Sequence, residues 1–201
     1  MASLYFYYST MNAGKSTQLL QAAYNYEEFD KPVIVLKTSL DDRDGVGSVS
    51  SRIGIKREAI LFNHETDLKE LCVKTIAEVQ ALKSKPVSAI LVDESQFLMR
   101  EQVWQLSDIV DECKIPVLCY GLRTDAFGNL FEGSKALLAI ADNLNEIKAI
   151  CQFCGSKATM VFRVDEHGAP VKSGNVVQIG GNEQYHACCR KHWKAHMQVI
   201  A

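Results

Sequence analysis

Apolar positions in the first 150 residues fall into two alternating textures, short near-continuous runs and longer stretches with an apolar residue every third or fourth place. Leu4 to Tyr8 is the first run and predicts a buried strand. From Gly14 to Phe29, Leu19, Leu20, Ala23 and Tyr24 recur at helical spacing. Val33-Ile34-Val35-Leu36, after Pro32, predicts a second strand. Residues 65–83 predict a helix whose stripe is Leu68, Leu71, Cys72, Ile76 and Val79. Val87–Val92, a helix near Glu101–Glu112, and Val117–Tyr120 after Pro116 continue the alternation. Strands that are apolar on both faces and alternate with helices predict an α/β fold, with a parallel sheet covered on both sides.

Two segments break this rhythm. Leu40 to Glu58 is polar, glycine-bearing and without period, which predicts a long loop, either functional or disordered. After Ile150 the texture shifts to short strands (158–164 and 175–179), glycines and clustered cysteines, so a boundary is placed there. A length of 201 residues suits one domain, or one with a small appendage. With 47% hydrophobic and 23% charged residues, intrinsic disorder is excluded. A balance of 22 basic and 24 acidic residues gives no bulk attraction to nucleic acid or anionic lipid. No run approaches the roughly 20 apolar residues of a membrane span. The first cation, Lys15, comes too late for the basic start of a signal peptide, so a cytoplasmic protein is expected. Seven cysteines is an odd number, with four of them beside histidines near the end, which favours metal over disulfides.

The first apolar run opens onto Ser9-Thr10-Met11-Asn12-Ala13-Gly14-Lys15-Ser16-Thr17, at the head of the first predicted helix. Gly-Lys-Ser-Thr is the end of a Walker A phosphate loop, although Ser9 stands where that pattern has its first glycine. In such a loop, backbone N–H groups and the helix N-terminus cradle phosphates, Lys15 reaches the β and γ oxygens, and the Ser16 hydroxyl ligates Mg²⁺. Ala89-Ile90-Leu91-Val92-Asp93-Glu94 supplies the second half. It describes a central strand whose carboxylate end meets the phosphate loop. Asp93 suits the Mg²⁺ shell, and Glu94 suits a general base acting on a hydroxyl or a water. The expectation is a Mg²⁺-dependent nucleoside triphosphate enzyme on a P-loop NTPase-like sheet.

Cys151-Gln-Phe-Cys154 and Cys189-Arg-Lys-His192 are two short knuckles. Together they supply the Cys₃His set of a structural Zn²⁺ site. Cys188 competes for the third position, and Cys189 is preferred because its spacing to His192 mirrors the first knuckle. Zinc would staple a C-terminal part too small to bury a sufficient core alone. His186 and His196 are read as surface or packing residues, and Cys72, Cys113 and Cys119 as small core residues.

These motifs combine with Cys119-Tyr-Gly-Leu-Arg-Thr-Asp125 and Ile179-Gly-Gly-Asn-Glu-Gln-Tyr185. Over nearly its whole length the chain resembles the zinc-bearing, cytosolic (type II) thymidine kinases, bacterial branch. The resemblance implies nucleotide salvage for DNA synthesis: the γ-phosphoryl of ATP passes to the 5′-hydroxyl of thymidine or deoxyuridine, with Glu94 as base. It sets Ser9, Thr10, Met11, Asn12, Ala13, Gly14, Lys15, Ser16, Asp93, Glu94, Ser95 and Gln96 at the nucleotide phosphates and Mg²⁺. It makes the stretch between the knuckles a lasso that grips the base largely through the backbone of Val176, Val177, Gln178, Ile179 and Gly180. Tyr185 would reach the sugar or pack on the zinc site, Met11 would lie near the thymine methyl, and Phe131 matches a second aromatic. Gly180-Gly181 suits close backbone approach, and a loop fixed at both ends by zinc loses less freedom on binding. The implied layout is a P-loop nucleotide-binding domain over residues 1–150 and a zinc-stapled lasso domain over 151–201. A homotetramer is also implied, with ATP and thymidine as partners, dTTP as a candidate feedback inhibitor, and neither nucleic acid nor membrane.

Two positions depart from the family pattern. Ala126 stands where an aromatic is usual, with Phe127 beside it. Either the loop is shifted by one or a contact over the base is lost, with Phe131 placed to compensate. Val161 stands where some relatives carry a Thr near the thymine methyl. Arg43 and Arg163 suit either a transferring phosphate or a solvated surface. One competing function, a P-loop ATPase or a kinase for another small hydroxyl compound, shares Lys15, Ser16 and Asp93. The other is a zinc-ribbon nucleic-acid module, which the net charge of −2 disfavours.

Overall fold

The computed structural model describes residues 1–40, 47–174 and 184–198. The chain opens with β1 (Leu4–Ser9), α1 (Lys15–Glu28) and β2 (Val33–Thr38). A hairpin of β3 (Ser48–Ser50) and β4 (Lys56–Glu58) follows, then β5 (Ile60–Phe62), α2 (Leu68–Lys83) and β6 (Ala89–Asp93). Next come a 3₁₀ turn (Ser95–Phe97), α3 (Arg100–Cys113), β7 (Val117–Leu122), α4 (Glu132–Ile140) and β8 (Asn143–Glu146). Six strands form one sheet in the order β5-β2-β6-β7-β1-β8, and every pairing in it is parallel. The predicted parallel sheet is therefore observed. Beyond it lie β9 (Ala149–Ile150), β10 (Lys157–Ala158), β11 (Met160–Arg163), β12 (Tyr185–Cys188) and α5 (Arg190–Met197).

The two-residue period of a strand sorts its side chains onto two faces. Leu4, Phe6, Ile34, Leu36, Ile90, Val92, Val117 and Cys119 pack under α2, α3 and α4. Val33, Val35, Ala89, Leu91, Leu118 and Tyr120 pack under α1. Both faces are covered, which is why these strands read as apolar runs and not as alternating ones. Asp67 caps α2 by accepting from the Glu70 N–H at 2.9 Å. Cys72 and Cys119 are buried in the helix-rich layer and Cys113 packs against it, as small core residues. Burial pushes the Cys72 thiol up to about 12.

The segment expected to lack regular structure between Leu40 and Glu58 carries the β3–β4 hairpin among its described residues. Val49 enters the core beneath α1. Lys37, buried at the end of β2, donates its ammonium to the Ser48 carbonyl at 3.1 Å. Arg57 clasps Glu27 of α1 with both guanidinium nitrogens, Nη2 to Oε1 at 2.7 Å. These tertiary anchors, absent from local periodicity, give the segment its shape.

The 3₁₀ turn after β6 is wedged between two glycines. A Cβ at Gly121 would stand 2.5 Å from the Ser95 hydroxyl oxygen, and one at Gly133 would stand 2.5 Å from the Ser95 carbonyl and 2.8 Å from that of Leu98. Helix α4 approaches the turn this closely because its second residue has no side chain. Gly133→Ala ought to improve helix propensity by up to about 1 kcal/mol, yet the clash is with backbone. We expect it to lower stability by about 1–3 kcal/mol, the usual range for overpacking, read from the urea midpoint; a stabilised variant would refute the wedge.

Candidate active site and metal cluster

The phosphate end of the sheet is built from the C-terminal ends of β1, β6 and β7. Strand β1 runs into the loop of residues 9–16, where Asn12 (φ 63°) and Gly14 (φ 80°) take left-handed conformations. Open space surrounds the position a Gly14 Cβ would occupy. Gly14 begins α1 with no side-chain cap, and the first turn carries no acidic residue. Its first backbone N–H groups are thus left for an anion. Lys15, buried, donates to the Thr10 carbonyl at 2.9 Å. The Ser9 hydroxyl donates to the Ile147 carbonyl at 2.5 Å. That bond gives the residue in the first-glycine position a structural use, tying β1 to the segment after β8.

Asp93, at the end of β6, is reached from the loop: the Ser16 hydroxyl donates to its carboxylate at 3.1 Å. Burial, then the neighbouring Glu94 charge, push the Asp93 carboxyl up to about 7, while Ser16, the Glu94 backbone N–H and Lys15 pull it down. A hydroxyl and a carboxylate meeting beside a phosphate loop are the oxygen donors that a Mg²⁺–phosphate complex uses. Glu94 is held in a left-handed conformation (φ 51°, ψ 41°), uncommon for a residue with a side chain. Half-buried, it accepts from Gln96 Nε2 at 2.5 Å. The Ser95 hydroxyl is buried and makes no hydrogen bond among the described residues. Phe131, at the start of α4, packs edge-on against Phe97 with ring centroids 5.8 Å apart.

A second apolar cluster adjoins the loop. Met11 packs against Ala126, Val161 and Tyr185. Two residues named for substrate thus meet the two that depart from the family pattern. Phe127 instead packs against the neighbouring cluster of Cys151, Ala158, Phe162, Ala187, Cys188 and Met197. Residues 176–180, named for the base, lie outside the described residues, as do Arg43 and the strand expected at 175–179. Arg163 is buried on β11, which removes the solvated-surface alternative.

Cys151, Cys154, Cys189 and His192 converge, with all four ligand atoms within 4.8 Å of one another. His192 Nδ1 lies 3.5 Å from Cys151 Sγ and 3.3 Å from Cys189 Sγ, and the Cys154 and Cys189 sulfurs are 3.9 Å apart. Tetrahedral zinc with bonds of about 2.0–2.3 Å requires ligand separations of about 3.5–3.8 Å. The set therefore fits zinc, and 3.9 Å is far from the roughly 2 Å of a disulfide. Burial opposes ionisation of the Cys151 thiol, but backbone hydrogen bonds from Cys189, Phe153 and Cys154 and one from His192 outweigh it, bringing it down to about 6. Cys188 sits in the apolar cluster, where burial and its cysteine neighbours push it up to about 12. His186 and His196 pack on Phe162 and Phe153, with His196 stacked 4.5 Å from Phe162. Trp193 had no motif to announce it beyond its place next to His192. Its indole N–H is shared between the carbonyls of Ala126 (3.2 Å) and Val161 (3.1 Å), tying α5 to two walls of the Met11 cluster.

The family profile for thymidine kinase matches residues 2–193. Among similar proteins, the thymidine kinase of Idiomarina loihiensis is 56% identical over 198 residues, covering 98% of each chain. That of Pasteurella multocida is 56% identical over 194 residues, covering 96% of this chain and 97% of its own. The Vibrio cholerae thymidine kinase is 55% identical over a similar span. No helix among the described residues is long and apolar enough to cross a membrane.

The cluster geometry sets an expected outcome for metal content. Freshly purified protein and its Cys188→Ser variant should each contain one zinc per chain by elemental analysis, and Cys189→Ser should lose it. Zinc retained by Cys189→Ser and absent from Cys188→Ser would reverse the ligand assignment.

Proposed function

The chain belongs to the thymidine kinase family, and from that premise we propose that it transfers the γ-phosphoryl group of ATP to the 5′-hydroxyl of thymidine through Glu94 and the 9–16 loop. Glu94 takes the proton from the 5′-hydroxyl, the freed oxygen forms the new bond to the γ-phosphorus, and the bond from that phosphorus to ADP breaks. The products are thymidine 5′-monophosphate and ADP. The observation that carries this assignment of roles is the Ser16–Asp93 hydrogen bond, which brings residues 77 apart in sequence together beside Glu94. Lys15 and the backbone of Met11, Asn12, Ala13 and Gly14 bind the phosphates. Ser16 and Asp93 would hold a Mg²⁺ ion, which would supply charge neutralisation at the transferring phosphate.

Met11, Ala126, Val161 and Tyr185 form one wall of the nucleoside site in this proposal, supported by their packing beside the phosphate loop. The base itself is assigned to residues 176–180 by the family resemblance alone. Residues 1–150 serve phosphoryl transfer and residues 151–201 serve nucleoside closure, with zinc in the Cys₃His cluster fixing the ends of the closing segment. Homotetrameric assembly and inhibition by dTTP belong to the same proposal. Light scattering tests the mass, and dTTP titration tests the inhibition.

A nucleoside panel with Mg²⁺–ATP is the direct test, with thymidine converted to its 5′-monophosphate as the expected result. Glu94→Gln should cut turnover on the order of 10²–10⁴-fold while ATP affinity, read by titration calorimetry, stays close to wild type. Near-full turnover would remove Glu94 from the base role. Lys15→Ala should slow every accepted nucleoside alike, because it acts on the shared phosphate; a defect confined to one nucleoside would place it at the base instead.

A further inference from the structure

Gln96 is buried, and both ends of its side-chain amide are committed inside the protein. The Leu122 backbone N–H donates to its Oε1 at 2.9 Å, and its Nε2 donates to Glu94 Oε2 at 2.5 Å. The orientation of the amide is chemically fixed, since a backbone N–H can only donate and a carboxylate can only accept. Leu122 is pinned in turn from its other side, where the buried Ser134 hydroxyl of α4 donates to its carbonyl at 2.5 Å. The 3₁₀ turn carrying the amide is seated against Gly121 and Gly133 with no room for a methyl group at either. A single carboxylate at the end of β6 is thereby braced against the end of β7 and the start of α4.

We infer that Gln96 is a positioning residue for Glu94: it fixes the carboxylate that receives the 5′-hydroxyl proton, and is not spent on the nucleotide phosphates. This rests on Glu94 being the base, as proposed above. A charge-assisted hydrogen bond from a rigid, buried donor selects one orientation of a carboxylate on a flexible stem. Glu94 is also held in a left-handed conformation, which breaks the strand after Asp93. Reactions that depend on near-attack geometry lose about 10²-fold for displacements of an ångström.

Gln96→Glu is the discriminating variant. It keeps an acceptor for the Leu122 N–H and replaces the donor facing Glu94 with a like charge. Turnover should fall on the order of 10–10²-fold, with KM for ATP and for thymidine each within about twofold of wild type. Gln96→Met, neutral and of similar size, should lower kcat in the same direction, and it carries the test if the Glu variant fails to fold. In a Glu94→Gln background, Gln96→Glu should cost no further turnover, because groups that act as a unit are not additive. A role in general scaffolding would instead slow both backgrounds equally, and that result overturns the inference. So does a raised KM for ATP at unchanged kcat, which would make Gln96 a nucleotide contact. Full turnover by Gln96→Glu beside an inactive Glu94→Gln overturns positioning alone, whereas full turnover by Glu94→Gln overturns the base assignment.

Discussion

A carboxylate stripped of nearly all its water needs donors around it, and Asp93 finds them in the Ser16 hydroxyl and the backbone N–H of Glu94, with Lys15 nearby. Those donors come from two chain segments that the sheet must bring together, so satisfying one buried charge fixes the phosphate loop against β6. Strand β7 lies between β1 and β6 and sets the gap the loop has to bridge. The loop answers with left-handed residues at Asn12 and Gly14, and the turn after Asp93 answers with another at Glu94. Strain of this kind persists only where surrounding contacts over-determine it. Here the apolar layers on both faces of the sheet hold the strand ends in place.

The C-terminal part solves a different problem. Its core is a small cluster around Cys151, Ala158, Phe162, Ala187, Cys188 and Met197, too little apolar surface to order four short strands and a helix alone. The Cys151, Cys154, Cys189 and His192 cluster could hold a metal, which would supply the missing restraint. Trp193 carries that restraint outward. One residue past His192, its N–H holds the backbones of Ala126 and Val161, and its ring lies 3.1 Å from where a Cβ on Gly128 would be. Trp193 thus adds a side-chain link between the Cys/His cluster and the Met11 cluster, beside the one that β11 and β12 already make.

Much of this was readable from the sequence where side-chain pattern and local structure coincide. Strands β1, β2, β6 and β7 are apolar on both faces, and α1, α2 and α3 carry continuous stripes, so each could be located from spacing alone. The loop of residues 9–16, the Asp93–Glu94 end of β6 and the Cys/His knuckles could be located because each is a short, fixed spacing, and the structure brings Ser16 to Asp93 and the four Cys/His residues together. Helix α4 was missed: it begins Glu-Gly-Ser, a weak helical start whose Gly133 is required by the backbone behind it and not by the helix. Strand β8, Asn-Leu-Asn-Glu, is a partly exposed edge strand with no apolar run to mark it. The β3–β4 hairpin owes its place to Lys37 and Glu27, distant partners that no local window contains. The links made by Gln96, Ser134 and Trp193 were invisible for the same reason, since an amide, a hydroxyl and an indole have no periodicity.

The strand order has a consequence for how the chain acquires its shape during synthesis. Strand β1 is made first, yet its two sheet neighbours are β7 and β8, residues 117–122 and 143–146. Until residue 146 has been added, the Tyr5-Phe6-Tyr7-Tyr8 strand has at least one open edge, and before residue 117 it has two. At translation rates of about 5–20 residues per second this interval lasts on the order of ten seconds. Throughout it, an aromatic, uncharged segment stays available to wrong partners, the kind of exposure that nascent-chain chaperones cover. The phosphate loop follows directly on β1, yet the strand that carries it is closed on both sides only once β8 has been synthesised.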